Sequence, residues 1–485
     1  MTEVSLKRNF VLNLLNTVTG LLFPLITFPY ASRILLPSGI GQVQFFQSII
    51  DYIALCTSLG IPLYAVREIS KIRNDKTLTS KTSAEILLLH AMLTFGGYLI
   101  VLILISSVGK IQVDIPLFML LSATLIFNAI GVPWFYQAVE DFKYITIRTV
   151  AIRIISLFAL FILVKTKEDL LYYGAITVFA NVGSNVFNFF RLRKFIDYSS
   201  LNIKSLNPGR HLKPALQIFV LNLIVSIYIN LDSVMLGFLK NEQAVGYYSA
   251  ATRLTKTILG IVTSFGTVLL PRFSNMIGNG QFEEFNVLAN KAVSFVIALS
   301  LPLSIGLGFM ATPIIHLFCG PNFDPSILTL QLIAPIILFI GLSGIVGMQI
   351  LYPQGKERMV IIATAAGAII NFTLNYLLIP QYAQYGAAIA TTCAEFLVIA
   401  IMLIIGKRHL PFRLLTKQNR EYVVASLFMT LFLAVILTFD LTDYQKILLG
   451  IPVSCIIYFF YLYWRKDIFV MQLKEIINNK IQKKL

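Results

Sequence analysis

VVASLFMTLFLAVILTF, residues 423–439, and ILLGIPVSCIIYFFYLYW, residues 447–464, are neighbouring stretches without one charged side chain. Crossing about 30 Å of hydrocarbon takes roughly 20 apolar residues, and about 17 suffice. Two such runs in succession belong in lipid. No water in a bilayer core can satisfy backbone N–H and C=O groups, so each run must bond its own backbone as a helix. Working outward, windows of the same kind centre near residues 20, 53, 95, 126, 156, 180, 225, 257, 300, 338, 368, 395, 430 and 455. The reading is an all-α polytopic membrane protein of about 14 transmembrane helices.

Composition agrees. Of the 485 residues, 57% are hydrophobic and 13% charged, and mean hydropathy is +0.79, far from the balance of a soluble domain. The first apolar stretch follows Lys7 and Arg8. It is too long for a signal-peptide core, has no small-residue cleavage site and leads straight into a second span, so it reads as a retained helix. Cytoplasmic loops keep an excess of Lys and Arg. With the N-terminus inside, about 30 of the 39 basic residues fall on the cytoplasmic side. They cluster as Arg67, Lys71, Arg73, Lys76 and Lys81, then Arg191, Arg193, Lys194, Lys204, Arg210 and Lys213, then Lys407, Arg408, Arg413, Lys417 and Arg420. Both termini are then cytoplasmic, and the net charge of +16 belongs to loops facing one leaflet. A nucleic-acid partner is disfavoured, because no soluble basic domain gathers that charge.

The tail, 465–485, mixes Phe469, Leu473, Ile476, Ile477 and Ile481 with Lys474, Lys480, Lys483 and Lys484, a pattern suited to a helix lying on an anionic inner surface. Cys56, Cys319, Cys393 and Cys455 have no pairing or ligand spacing, and His90, His211, His316 and His409 are isolated along the chain. A metal centre is therefore disfavoured. No Gly-rich nucleotide loop of the Walker type is present, so no cofactor is expected and transport would not be driven by ATP hydrolysis in this chain.

The chain repeats itself weakly. GQVQFF (41–46) and GYYSAA (246–251) open segments 2 and 8, and the same shift of 205 aligns Asp51 with Lys256, Ser58 with Thr263 and Arg67 with Arg272. Segments 1–6 and 7–12 then form two lobes that enter the membrane from the same side, a parallel repeat about the membrane normal. The expected boundaries are an N-terminal lobe over 1–195, a cytoplasmic linker over 196–213, a C-terminal lobe over 214–406, helices 13 and 14 over 421–464, and the basic tail over 465–485.

At about 100° per residue the polar side chains fall on stripes. Gln44, Gln47, Ser48, Asp51 and Ser58 share one face of segment 2. Ser249, Thr252, Arg253, Lys256, Gly260, Thr263 and Ser264 share one of segment 8. Segment 5 aligns Thr146, Thr149, Arg153 and Ser156; segment 6 aligns Thr177, Asn181, Ser184, Asn185 and Asn188; segment 7 aligns Asn222, Ser226 and Ser233. Small and polar residues also glue neighbouring membrane helices, and for single Ser, Thr and Asn positions that reading stands beside a functional one. Charges weigh more, since an Arg, Lys or Asp at mid-span costs roughly 2.5–3.5 kcal/mol on insertion scales. Arg253 and Lys256 on segment 8 and Arg153 on segment 5 either pair internally, for example with Asp51 or Asp232, or offer cations from both lobes to an anion in a central cavity. Pro24 and Pro29 in segment 1, and Pro302 with Gly306 and Gly308 in segment 9, are expected kinks.

Several motifs resemble the polysaccharide repeat-unit flippases, the O-antigen and capsule translocases of the multidrug/oligosaccharidyl-lipid/polysaccharide exporter superfamily. They are FPYASRIL (28–35) with Gly39-Ile-Gly41 after it, LDSVMLG (231–237), VGYYSAA (245–251), VLLPR (268–272), and NFTLN (371–375) leading to GAA (386–388). The resemblance implies two six-helix lobes around a cationic cavity that alternate their opening, with the last two helices beside a groove for a lipid tail. It implies an undecaprenyl-diphosphate-linked oligosaccharide as substrate, a bacterial plasma membrane as location, and membrane lipids and polysaccharide polymerase machinery as partners. By the same resemblance Arg153, Arg253 and Lys256 would hold the diphosphate, and Asn181, Asn185, Asn188, Gln44 and Gln47 would meet sugar hydroxyls. The basic residues of segment 1 typical of the lipid II branch are absent, with Arg33 alone near its outer end. A proton-coupled cycle would draw on Asp51, Asp232 or Glu395. Two other readings are weaker: a cation-coupled drug exporter of the superfamily would use twelve segments and acidic cavity residues, and a membrane glycosyltransferase or polymerase would need larger outer loops than 240–245. An enzyme is not expected.

Overall fold

The computed structural model describes residues 6–197, 203–472 and 474–475, and among them there is helix and turn but no strand. Most of the tail expected on the membrane surface, 473 and 476–485, lies outside the described residues, as do the side chains of Asn222 and Ser226. The chain divides into two compact units, Met1–Gly246 and Tyr247–Leu485.

In the first unit, α1 (Leu6–Ser58) holds the first two spans in one continuous run that breaks only at Leu36, where φ is 61° and ψ 175°. Leu36 precedes Pro37, whose ring disfavours the α conformation of the residue before it. The expected kink sites Pro24 and Pro29 both lie inside the helical stretch; the bend is made by the third proline. After the left-handed pair Leu59 and Gly60 come α2 (Ile61–Ile72), α3 (Lys76–Ser107), α4 (Gly109–Gln112), α5 (Ile115–Gly131), α6 (Pro133–Ala138) and α7 (Phe142–Leu163). The sixth span is α8 (Leu170–Val178) and α9 (Ser184–Leu192), joined through a π-helical turn at Phe179–Gly183. Carboxylates start three of these helices. Asp75, Asp114 and Asp141 accept from the backbone N–H groups of Leu78, Leu117 and Tyr144, taking up donors a helix leaves without partners at its N-terminus.

The seventh span, α10 (Leu212–Leu239), packs within this unit. The Phe45 ring fills the notch over Gly237 and meets Phe238 edge-on at 5.2 Å. Lys110 Nζ donates to the carbonyls of Gly237 (2.6 Å) and Lys240 (2.7 Å), so a cation from the α4 turn closes the C-terminus of α10. The division of contacts at 246/247 falls one helix later than the 196–213 linker drawn from the repeat.

The division lies within α11 (Glu242–Gly278). The second unit continues with α12 (Phe282–Phe309), unbroken across Pro302, then α13 (Ala311–Cys319), α14 (Pro325–Ile333) and α15 (Ile336–Gly344), which runs into a π-helical segment at Ile345–Leu351. α16 (Glu357–Ile405) holds two spans bent at Ala383, φ 49°. Gly386 lets the return helix lie against the Leu378 backbone there; a Cβ would stand 2.6 Å from the Leu378 carbonyl carbon. α17 (Lys417–Thr438) and α18 (Asp443–Trp464) close the unit, the second opened by a capping box between Thr442 and Gln445. α17 packs on α12, and Met310 joins Met429, Leu433 and Ile436 in an apolar cluster.

Among the described residues eleven helices are long and apolar enough to cross a membrane. Leu15–Ile72 and Glu357–Ile405 each contain a reversal and count as two crossings, and α10 adds another. The fourteen segments read from the sequence are accounted for. The protein is a multi-pass membrane protein.

Candidate functional site

Arg153 sits midway along α7, half-buried against the first span. Its Nη1 donates to Thr19 Oγ1 at 2.8 Å and to the Asn16 carbonyl at 3.0 Å, with Asn16 Oδ1 at 3.4 Å. All three acceptors are neutral, and among the described residues no carboxylate forms a salt bridge with it. Gly20 makes room for the group: a Cβ there would come to 3.3 Å from Nη2. Two turns earlier on α7, Thr146 Oγ1 donates to the Leu12 carbonyl, so Thr146 and Arg153 both bond α1. Nε and Nη2 lie outside these bonds.

Elsewhere in the first unit, Gln47 Nε2 donates to Asp51 Oδ1 at 2.7 Å, while the Gln44 amide faces Ser48 at 3.4 Å. Asp232 is buried on α10, close enough to Tyr52 for its charge to act there. The three asparagines of segment 6 part company. Asn181 is exposed, within the π-helical turn. Asn185 Nδ2 donates to the Phe127 carbonyl at 3.0 Å and Asn188 Nδ2 to that of Gly131, while the Asn188 carbonyl accepts from Tyr136 OH at 2.7 Å. Their amides join α9 to the C-terminal end of α5.

In the second unit, Arg253 and Lys256 stand one turn apart on α11, the arginine half-buried and the lysine exposed. Glu395 is buried on α16. A polar network runs beside it: Tyr248 OH meets Thr391 Oγ1 at 3.2 Å, Asn371 Nδ2 donates to the same oxygen at 3.4 Å, and Asn375 Nδ2 donates to Asn371 Oδ1 at 3.2 Å. The NFTLN motif thus supplies the interior of a buried chain of hydrogen bonds.

Three groups were not singled out by the sequence. Arg148 lies five residues before Arg153 and off its stripe; its signal was a second arginine within Phe142–Leu163. Glu85, fully buried near the start of α3, accepts from Asn207 N at 3.0 Å, from Arg210 Nη2 and from His211 Nε2 at 2.9 Å. Tyr64 OH lies 2.7 Å from His211 Nδ1. Burial, aided by the Arg210 charge, pushes the His211 imidazole below its ordinary value against the pull of Glu85. A neutral ring then donates from Nε2 and accepts at Nδ1. His316 bridges two carboxylates, Asp443 Oδ2 at 2.7 Å from Nδ1 and Asp324 Oδ1 at 2.8 Å from Nε2. These two histidines, isolated in the sequence, are carboxylate-paired in space; no group of three or more ligating side chains is placed to hold a metal among the described residues.

The polysaccharide biosynthesis protein family matches residues 6–277, more than half of the chain. The chain belongs to this family. A second family, MatE, matches residues 218–377. This family member is similar to the "Putative O-antigen transporter" of Escherichia coli, 24% identical over 412 residues that cover 84% of this chain and 98% of the relative. It is also similar to the lipid II flippase MurJ of Bacillus subtilis, 23% identical over 184 residues covering 36% and 33%. Among solved structures its fold is that of a lipid II flippase MurJ in an inward closed conformation, with a TM-score of 0.72, 18% identity and coverage of 95% and 100%. An inward-facing multidrug transporter of the MATE family gives 0.64, 14%, and 80% and 94%. The resemblance carried by the motifs at 28–41, 231–251 and 268–272 is upheld at the level of the family: the chain belongs to the polysaccharide biosynthesis proteins, and its relatives are named as transporters and flippases.

Proposed function

We propose that the protein carries an undecaprenyl-diphosphate-linked oligosaccharide repeat unit from the inner to the outer leaflet of a bacterial plasma membrane by alternating access. Arg153 carries this reading. A half-buried guanidinium inside a span, held by neutral acceptors through one nitrogen, keeps a charge that lipid disfavours and two nitrogens able to grip a phosphate oxyanion in a bidentate fork. Arg153, Arg253 and Lys256 are the cations that this reading assigns to the diphosphate. Asn181, which is exposed, would meet sugar hydroxyls together with Gln44 and Gln47, whose amides also bond Ser48 and Asp51; Asn185 and Asn188 act behind them, fixing α9 on α5. Asp51, Asp232 and Glu395 are the carboxylates available to a coupling proton. Both termini face the cytoplasm, where the basic loops meet anionic lipid, and the outer face delivers its cargo to polysaccharide polymerase machinery.

The test is a pair of variants in a strain whose surface polysaccharide depends on this protein. Arg253→Ala with Lys256→Ala, and separately Arg153→Gln, should abolish export while the protein remains inserted at normal abundance. Unchanged export in both would overturn the diphosphate-binding role.

A further inference from the structure

We propose that Arg148, Arg191 and the ring of Tyr144 form a second anion station in the first unit, one that holds the phosphate-ester oxyanion of a lipid at the end of the fifth and sixth spans. The two guanidinium carbons lie 5.3 Å and 3.8 Å from the centre of the same Tyr144 ring, hence at most 9.1 Å from each other. Arg191 already has a carboxylate partner. Its Nη2 donates to Asp141 Oδ2 at 2.7 Å, and its guanidinium also lies over Tyr136 and Phe195. Asp141 spends its other oxygen on the Tyr144 backbone N–H at the start of α7. Asp141 therefore pairs with Arg191 and with no second arginine among the described residues.

Arg148 has what remains. Its Nε and Nη1 are out of contact with solvent and have no hydrogen-bond acceptor among the described residues. A buried donor without an acceptor is costly, more so on a charged group, and Tyr144 offers only a π face. An oxyanion reaching the pair would satisfy those donors and neutralise the surplus charge at once.

Depth fits a phosphate. Arg148 is the seventh residue of α7, about 9 Å from its start at the helical rise of 1.5 Å per residue, and Arg191 is in the last turn of α9. Both sit at the same end of neighbouring spans, about where headgroup phosphates meet hydrocarbon. A membrane phospholipid and a lipid-linked diphosphate present the same group there. The station does not depend on the proposed function, since the phospholipid alone would occupy it.

The experiment uses the purified full chain in neutral detergent, titrated with phosphatidylglycerol, with undecaprenyl diphosphate, with inorganic phosphate, and with diacylglycerol as the lipid lacking phosphate; binding is read by thermal shift. Arg148→Met removes the orphaned charge at similar volume, so it should fold at least as well as the parent. The wild type should be stabilised by at least one phosphate-bearing lipid and not by diacylglycerol, and Arg148→Met should weaken that binding about 10- to 100-fold, the loss of one or two charged hydrogen bonds. Arg148→Gln should behave alike. A response to phosphatidylglycerol alone assigns the station to bilayer lipid, and one to undecaprenyl diphosphate alone assigns it to cargo; either supports the proposal. Wild-type affinity for both lipids in Arg148→Met, or no preference over diacylglycerol in the wild type, overturns it. Failure here leaves the export test on Arg253 and Lys256 untouched.

Discussion

Gly41 and Gly246 are related by the shift of 205, and so are Pro37 and Glu242. In the structure the contacts are reciprocal: a Cβ on Gly41 would drive into the backbone at Glu242 and Gly246, and one on Gly246 into the backbone at Pro37. Consider Gly41→Ala. The new carbon would lie 2.6 Å from Gly246 N and nearer still to the Glu242 carbonyl oxygen, inside the 3.0 Å that real Cβ atoms respect. Both obstacles are backbone, so no rotamer change relieves them. The start of α11 must move off α1 by well over the missing 0.4 Å. Replacing glycine by alanine within a helix ordinarily gains about 0.5–1 kcal/mol, whereas forcing apart a packed contact costs about 1–3 kcal/mol. The net expectation is a loss of about 1–2 kcal/mol and a melting temperature lower by a few degrees. Gly96→Ala is the matched control: it lies in α3 with nothing within 4 Å of its Cβ, so it should melt at or above the parent. Gly41→Ala with Gly246→Ala should be less than additive, because helices already parted make room for the second carbon. Melting is followed in detergent by intrinsic fluorescence, with export measured in cells. A Gly41→Ala protein as stable as Gly96→Ala, or a fully additive double variant, would refute the reciprocal contact.

Two further outcomes follow from other parts of the molecule. Burial alone would lower the His316 value, but hydrogen bonds from both ring nitrogens to Asp443 and Asp324 outweigh it and raise the value above 6.5. The protonated ring therefore stabilises the fold fully below about pH 6.5, and this contribution, about 1 kcal/mol or less, is lost as pH rises through the raised value. Melting curves from pH 6 to 9 should show that loss, and His316→Gln should flatten it; an equal slope in both proteins would remove the claim. For the coupling ion, neutralising Asp51, Asp232 and Glu395 one at a time should change the pH dependence of transport in at least one variant. Three unchanged profiles would argue against proton coupling through these residues.

Length and apolarity made the spans legible, because a bilayer demands both and tolerates few exceptions. Reversals were harder to see. Leu36 and Ala383 turn the chain within continuous helical runs, and Pro24 and Pro29, the more obvious breakers, do not. Helical stripes grouped Thr146 with Arg153, and both bond α1, yet the same rule grouped Asn185 and Asn188 with Asn181. In lipid a polar side chain either faces water or bonds a neighbouring backbone, and periodicity cannot separate the two; the carbonyls of Phe127 and Gly131 did. Partners distant along the chain were invisible for a simpler reason. His211 finds Glu85 across 126 positions, and Glu85 itself stands between Lys81 and a long apolar run, where it reads as part of a solvated end. The placement of α10 with the first unit rests on Phe45, Gly237 and Lys110, none of which carries a periodic signal.

Glu85 also bears on how the chain is made. Synthesis runs from the N-terminus, so this carboxylate is in place long before Asn207, Arg210 and His211 leave the ribosome, and until they do its acceptors have no donors from that loop. A fragment cut at residue 195 would carry the buried acid without those partners, and removing one side of a buried pair costs about 3–5 kcal/mol. A fragment cut after Gly246 would contain them all. For anyone expressing halves of the protein for reassembly, the N-terminal piece must run past His211.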